Sequence, residues 1–206
     1  EGTLRSHQSE TSVAFLFFDT ETTGLPLFNA PGDHPAQPDC VQIAGLLADE
    51  DHVLGQFNFI VQSDKESHPK AIEAHGITAE IIAAYGVPRK TALNVFHNIM
   101  KKAEGIVAHN ADFDMKVIRI MYAQENVKAP DFPPSFCTMK TSVETCKIPK
   151  LKGSGYKWPS LQEAFRVLVD PKGFDGAHNA MVDVTACYEV WKKLRVIGIA
   201  PGKMAA

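Results

Sequence analysis

Asp19 and Glu21 stand two residues apart, directly after the apolar run Val13 to Phe18. At the two-residue period of a strand both carboxylates leave the same face. Two acids pointing one way from a buried strand are costly unless solvated, protonated or bound to a cation. Two further acids fall among apolar neighbours. Asp114 would share the inner stripe of a helix with Ile118 and Met121. Asp183 lies on the margin of a stripe formed by Val184, Cys187, Val190, Trp191 and Leu194, and His178 precedes it by five residues. Four carboxylates drawn together at ~4 Å repel one another by several kcal/mol, so their convergence makes sense around hard cations. Oxygen-only ligands select Mg2+ or Mn2+. Two such ions ~3.5–4 Å apart stabilise the attacking and leaving oxygens of a phosphoryl displacement. A neutral His beside them takes the proton from the attacking water.

The elements that must position these groups follow from periodicity. Val13 to Phe18 reads as a central strand buried on both faces, with Asp19 and Glu21 at its C-terminal end. Leu27 to Asp39 holds three Pro and one Gly and reads as a loop. Cys40 to Ala48 and His52 to Gln62 read as strands joined by a tight turn. Pro69 to Ala83 is helical in pieces, Thr91 to Ala103 has helical period, and Gly105 to Ala108 is a short strand. A helix over Phe113 to Gln124 carries Asp114, with Asn110 as candidate N-cap. After a Pro-rich break, Phe136 to Met139 reads as a short strand. Ser160 and Glu163 have capping-box spacing before an apolar helix, and the last helix runs from about Asn179 to Ile197. Three strands followed by helices alternating with short strands indicate an α/β domain with a mixed sheet.

The chain has 206 residues and a net charge of -3, which argues against a protein that grips nucleic acid by bulk charge alone. It does not exclude an enzyme that meets phosphates through metal ions. Cys40, Cys137, Cys146 and Cys187 form no C-x-x-C pair, so neither a zinc site nor a disulfide framework is expected. Free thiols and the absence of a signal-like or membrane-length apolar run predict an intracellular, cytoplasmic protein with no membrane partner. Neither a Walker-type nor a dinucleotide-binding glycine motif occurs. Between the second and third acid-bearing segments, Lys140, Lys147, Lys150, Lys152 and Lys157 interleave with Tyr156 and Trp158. Such a segment is either a solvated loop or a track for a single strand by charge and stacking.

Three motifs resemble, in order, those of the DEDDh 3′–5′ exonucleases, a family that includes bacterial proofreading subunits. They are Phe18-Asp19-Thr-Glu21-Thr-Thr-Gly24-Leu25, His109-Asn110-x-x-Phe113-Asp114 and His178-x-Ala180-x-x-Asp183. Gln42-Ile43-Ala44 and His75-Gly76-Ile77-Thr78 match as well, and the resemblance spans Ala14 to Leu194. It implies a ribonuclease-H-like five-stranded mixed sheet flanked by helices, with the second strand antiparallel. It implies release of nucleoside 5′-monophosphates from 3′ ends of single-stranded DNA, with RNA possible as substrate. Carried over, Asp19, Glu21, Asp114 and Asp183 hold two Mg2+ or Mn2+ ions and His178 is the general base. Thr22, Thr23, Gly24 and Leu25 contact the terminal nucleotide; Leu25, His75 and Phe113 wall its base pocket, and Asn110 supports the scissile region. We expect a polar segment at 1–12, one exonuclease domain at 13–197 and a short tail at 198–206. The short tail favours a free-standing nuclease over a polymerase-attached proofreading subunit. A non-catalytic binding module of the same fold has no use for an acid cluster that repels phosphate.

Overall fold

The computed structural model describes residues 13–202, so the expected N-terminal segment lies outside the described residues. Strand β1 (Phe15–Thr22) is the centre of a five-stranded sheet with β2 (Cys40–Ala48), β3 (Val53–Ile60), β4 (Gly105–Ala108) and β5 (Ser135–Cys137). The order is β3-β2-β1-β4-β5. β2 runs antiparallel to both its neighbours, while β4 and β5 run parallel to β1. The early helices are α1 (Pro69–His75), α2 (Ala79–Tyr85) and α3 (Arg89–Met100). They are followed by α4 (Ala111–Gln124), two single turns α5 (Thr138–Thr141) and α6 (Val143–Cys146), α7 (Leu161–Leu168) and α8 (Ala180–Val196). Hairpin-joined strands β1–β3 followed by helix-linked parallel strands are the mixed α/β architecture that the resemblance implies.

β1 has both faces covered, and its alternation decides what each residue meets. Leu16 and Phe18 belong to a core cluster with Phe96 of α3 and Ile118 and Met121 of α4. Phe15 and Phe17 belong to another with Tyr188 and Trp191 of α8. The rings engage edge-on: Phe18 sits 5.2 Å from Phe96, and Phe17 5.0 Å from Tyr188. Continuing the period, Thr20 turns toward α4, whereas Asp19 and Glu21 turn toward α8. The β1–β2 register shifts between Glu21 and Thr22, a bulge that re-aims the strand end at the site.

Several local expectations change in detail. The first helical piece ends at His75, where Gly76 adopts φ 71, and a new helix starts after Thr78. The strand expected at Phe136 to Met139 gives way to α5 after Cys137. Ser160 and Glu163 do form a capping box. Beyond α8 the chain turns back, and Ala200 is buried in the same cluster as Trp191. The four cysteines are free. No helix among the described residues is long and apolar enough to cross a membrane.

Candidate active site

Three segments, β1, α4 and α8, deliver the four acids to one edge of the sheet. Glu21, His178 and Asp183 each offer a ligand atom, and these three atoms lie within 4.8 Å of one another. Asp114, on the first turn of α4, is 2% exposed. Its Oδ1 accepts both the N–H of Thr20 at 3.0 Å and the Thr20 hydroxyl at 2.8 Å. Asp183 accepts the backbone N–H of His178 through Oδ2 at 2.9 Å.

Electrostatics mark this cluster as one that wants a cation. Burial, and then the charges of Asp114, Glu21 and Asp183, hold the Asp19 carboxyl well above its usual range. Burial and the acids Asp183 and Asp114 push Glu21 up to about 8. Burial raises Asp114 to about 7 despite the two hydrogen bonds from Thr20 that favour its charged form. Burial also raises Asp183, against the pull of His178. Four acids that resist simultaneous ionisation near neutral pH, offering oxygen donors, fit hard divalent ions.

Two of the helices that carry acids begin from strained backbone. Asn110, before α4, has φ 75, and His178, before α8, has φ 67. Non-glycine residues held there cost on the order of 1–3 kcal/mol and cluster at functional sites. Asn110 occupies the N-cap position, but its side chain makes no capping hydrogen bond, contrary to the sequence expectation. Its place is set by the backbone bend. Asn179 supplies a side-chain cap for α8, accepting from the N–H of Met181.

Beside the acids opens a cavity of about 500 Å³, lined by Glu21, Thr22, Gly24, Leu25, His75 and Phe113 with residues of α1. Leu25 is 84% exposed. Nδ1 of His75 accepts the N–H of Ile77 at 3.0 Å, which leaves Nε2 to donate to the Thr22 carbonyl at 3.3 Å. Burial holds this imidazole below its usual pKa. Thr23 does not line the cavity. It is buried, its N–H donates to the Asp39 carbonyl and its hydroxyl accepts the Asp39 N–H.

Three supporting groups escaped sequence reasoning. The buried Asp39 carboxylate meets Lys65 at 3.2 Å and Arg89 at 3.3 Å, and accepts from Ser63 and Gln124. It thereby clamps the Thr23 turn to α3 and α4. Gln42 faces Glu21 across the β1–β2 ladder, donates to Asn58 and accepts the N–H of Ala180, the first residue of α8. His109 Nε2 donates to the Pro159 carbonyl at 3.1 Å, while Nδ1 accepts from Thr138 at 2.9 Å. Burial lowers its pKa to about 4, so it stays neutral. His109 and Gln42 stand in matched motifs; for Asp39 no local pattern signals a role.

An exonuclease family model of the RNase T type matches residues 16–191, and thus every acid of the site and His178. The chain belongs to this exonuclease family. It is of the DEDDh type, and its sheet is ribonuclease-H-like. It is 34% identical over 111 residues to a DNA polymerase III subunit epsilon-like protein of Rhodobacter capsulatus, covering 52% of this chain and 14% of that protein. It is 25% identical over 181 residues to DNA polymerase III subunit epsilon of Treponema pallidum, covering 87% of this chain and 75% of that one. Among solved structures, E. coli Exonuclease I in complex with a dT13 oligonucleotide superposes with a TM-score of 0.71 at 22% identity. That match covers 89% of this chain and 41% of Exonuclease I. The exonuclease chain therefore spans less than half of Exonuclease I and a small part of the Rhodobacter protein.

Proposed function

We infer that this chain is a metal-dependent 3′–5′ exonuclease that removes nucleoside 5′-monophosphates from single-stranded nucleic acid. The observation that carries the reading is the meeting of Glu21, Asp183 and His178 within 4.8 Å, Glu21 also lining a cavity with Leu25 and Phe113. Asp19, Glu21, Asp114 and Asp183 are the residues to hold two divalent ions, Mg2+ or Mn2+. When bound, such ions neutralise charge on the reacting phosphate and lower the pKa of water. The resemblance to Exonuclease I, solved with oligonucleotides, supports a single-stranded DNA substrate.

His178 takes a proton from the attacking water at an imidazole nitrogen. As the water oxygen bonds to phosphorus, the bond to the 3′ oxygen of the preceding nucleotide breaks, and that oxygen picks up a proton. Thr22, Gly24 and Leu25 hold the terminal nucleotide, with Leu25 and Phe113 against its base and His75 fixing the Thr22 carbonyl. Asp39 keeps the Thr23 turn in place, and Thr20 orients Asp114.

The test is digestion of 5′-labelled single-stranded DNA and RNA of one sequence, with Mg2+ and with EDTA. A ladder shortening from the 3′ end only with metal is expected, and a 3′-phosphate should block it. Turnover surviving EDTA, or circular DNA cut as fast as linear, overturns the reading.

A further inference from the structure

The exonuclease site is acidic and would hold only the last nucleotides of a strand, yet one surface beside it has the opposite character. Residues 147–158 contain four lysines and no acid. Sequence alone leaves this stretch as either a solvated loop or a strand track. The structure makes it a hairpin. Pro149 bridges antiparallel to Tyr156, the N–H of Lys150 donates to the Gly155 carbonyl, and that of Lys157 donates to Ile148. Gly153 and Gly155 turn the tip with φ of 81 and 87.

The base of the hairpin is fixed. Lys157 binds both carboxylate oxygens of Glu163, at 2.6 and 2.8 Å. Pro159, two residues on, is buried and receives the His109 Nε2–H. His109 follows β4 directly, on the sheet edge that bears the acids. Four residues later in the same β4–α4 junction, Phe113 lines the cavity. One junction therefore anchors the hairpin and walls the candidate nucleotide pocket.

The rest of the hairpin is unspent. Lys147, Lys150 and Lys152 are exposed and make no ion pair among the described residues, whereas Lys140 pairs with Asp112. Trp158 is 63% exposed, and Tyr156 is 36% exposed. Unpaired cations attract phosphates with counterion release, and an aromatic face accepts a stacked base of any identity.

We propose that the 147–158 hairpin binds the backbone and bases of the single strand upstream of the nucleotide being removed, Lys147, Lys150 and Lys152 taking phosphates and Trp158 stacking on a base. The proposal rests on the exonuclease reading for the identity of the strand. It makes the enzyme's affinity depend on strand length, because a short substrate reaches the pocket but not the hairpin.

The test uses the full chain as wild type, Lys150→Ala/Lys152→Ala and Trp158→Ala. Binding of a fluorescein-labelled oligo-dT, long enough to span both regions, is followed by anisotropy in EDTA at several salt concentrations. Hydrolysis of the p-nitrophenyl ester of thymidine 5′-monophosphate with Mg2+ reads the pocket alone. The double variant should bind the oligonucleotide at least ~10-fold more weakly, with the salt slope reduced by about 1.4, or about 0.7 per lost phosphate contact. Trp158→Ala should weaken binding ~10-fold with the slope retained. Ester hydrolysis should stay within about twofold of wild type in all variants. Unchanged binding and slope, wild-type binding too weak to measure, or parallel loss of ester hydrolysis overturns the proposal. A wild type that binds through the hairpin but hydrolyses neither ester nor oligonucleotide overturns the exonuclease reading and leaves the hairpin's role standing.

Discussion

Thr20 gives both its backbone N–H and its hydroxyl to one oxygen of Asp114, across 94 positions of sequence. Both bonds fall on Oδ1, so Thr20 leaves Oδ2 unengaged. Thr20→Val keeps the shape and the N–H but removes the hydroxyl. Losing a bond that favours the charged form pushes the Asp114 pKa further up, so metal must displace a tighter-held proton. Outer-shell losses of this kind cost about 10–100-fold in metal affinity or activity. Calorimetric titration of Mn2+ should show a weakening of that size, shrinking as pH rises. Unchanged affinity would mean that the hydroxyl only fills space.

The roles of Asp183 and His178 separate by metal binding. Asp183→Asn removes a charge from the cage, so activity should fall by several orders of magnitude together with Mn2+ affinity. His178→Ala should lower the rate about 10²- to 10⁴-fold while leaving metal affinity nearly intact. Equal loss of affinity in both variants would make His178 a ligand, a role its nitrogen is close enough to fill.

Metal-free protein should lose stability as pH rises from 6.5 to about 8. In the folded state Asp114 holds its proton to about 7 and Glu21 to about 8, while in the unfolded chain both ionise near 4. The folded state thus binds more protons, and stability falls with rising pH. His109 works the other way and in another window. Its folded pKa of about 4 lies below the ordinary 6.5, so stability is lost as pH falls through that range. Only the carboxylates change above 6.5. The melting temperature in EDTA should drop by about 5–10 °C across that interval, and Mg2+ should abolish the drop. A flat profile in EDTA would contradict the mutual repulsion of these acids.

Leu25 offers a clean division between binding and folding. It is 84% exposed while lining the cavity, so Leu25→Ala removes almost no buried surface. The melting temperature should move by no more than about 1–2 °C. KM for an oligonucleotide should rise about 5- to 10-fold if the side chain packs on the terminal base. Phe113→Ala should raise KM and also lower the melting temperature, because that ring packs against the core. A Leu25 variant with wild-type KM would remove this residue from the nucleotide pocket.

The order of the acids, the solid apolar run before Asp19 and the periodic stripes around Asp114 and Asp183 were legible in the sequence. Each is a local pattern read off one strand or helix. They determined the mixed α/β class and made a meeting of the carboxylates around divalent cations the expectation. Tertiary structure alone decided how that site is held. Asp39 is buried between Arg89 and Lys65 and locks the turn at Thr23, through contacts with no local period. Gln37 closes the Pro-rich loop from within, its side chain bonding Leu27, Ala30 and Pro31. His109 and His75 are alike on paper, yet one is a neutral strut to Pro159 and the other borders the cavity. The Lys-rich stretch divided in the same way, Lys140 and Lys157 being used by Asp112 and Glu163 while Lys147, Lys150 and Lys152 make no ion pair among the described residues. A side chain's partner depends on which distant segment the sheet brings beside it, and local patterns carry no record of that.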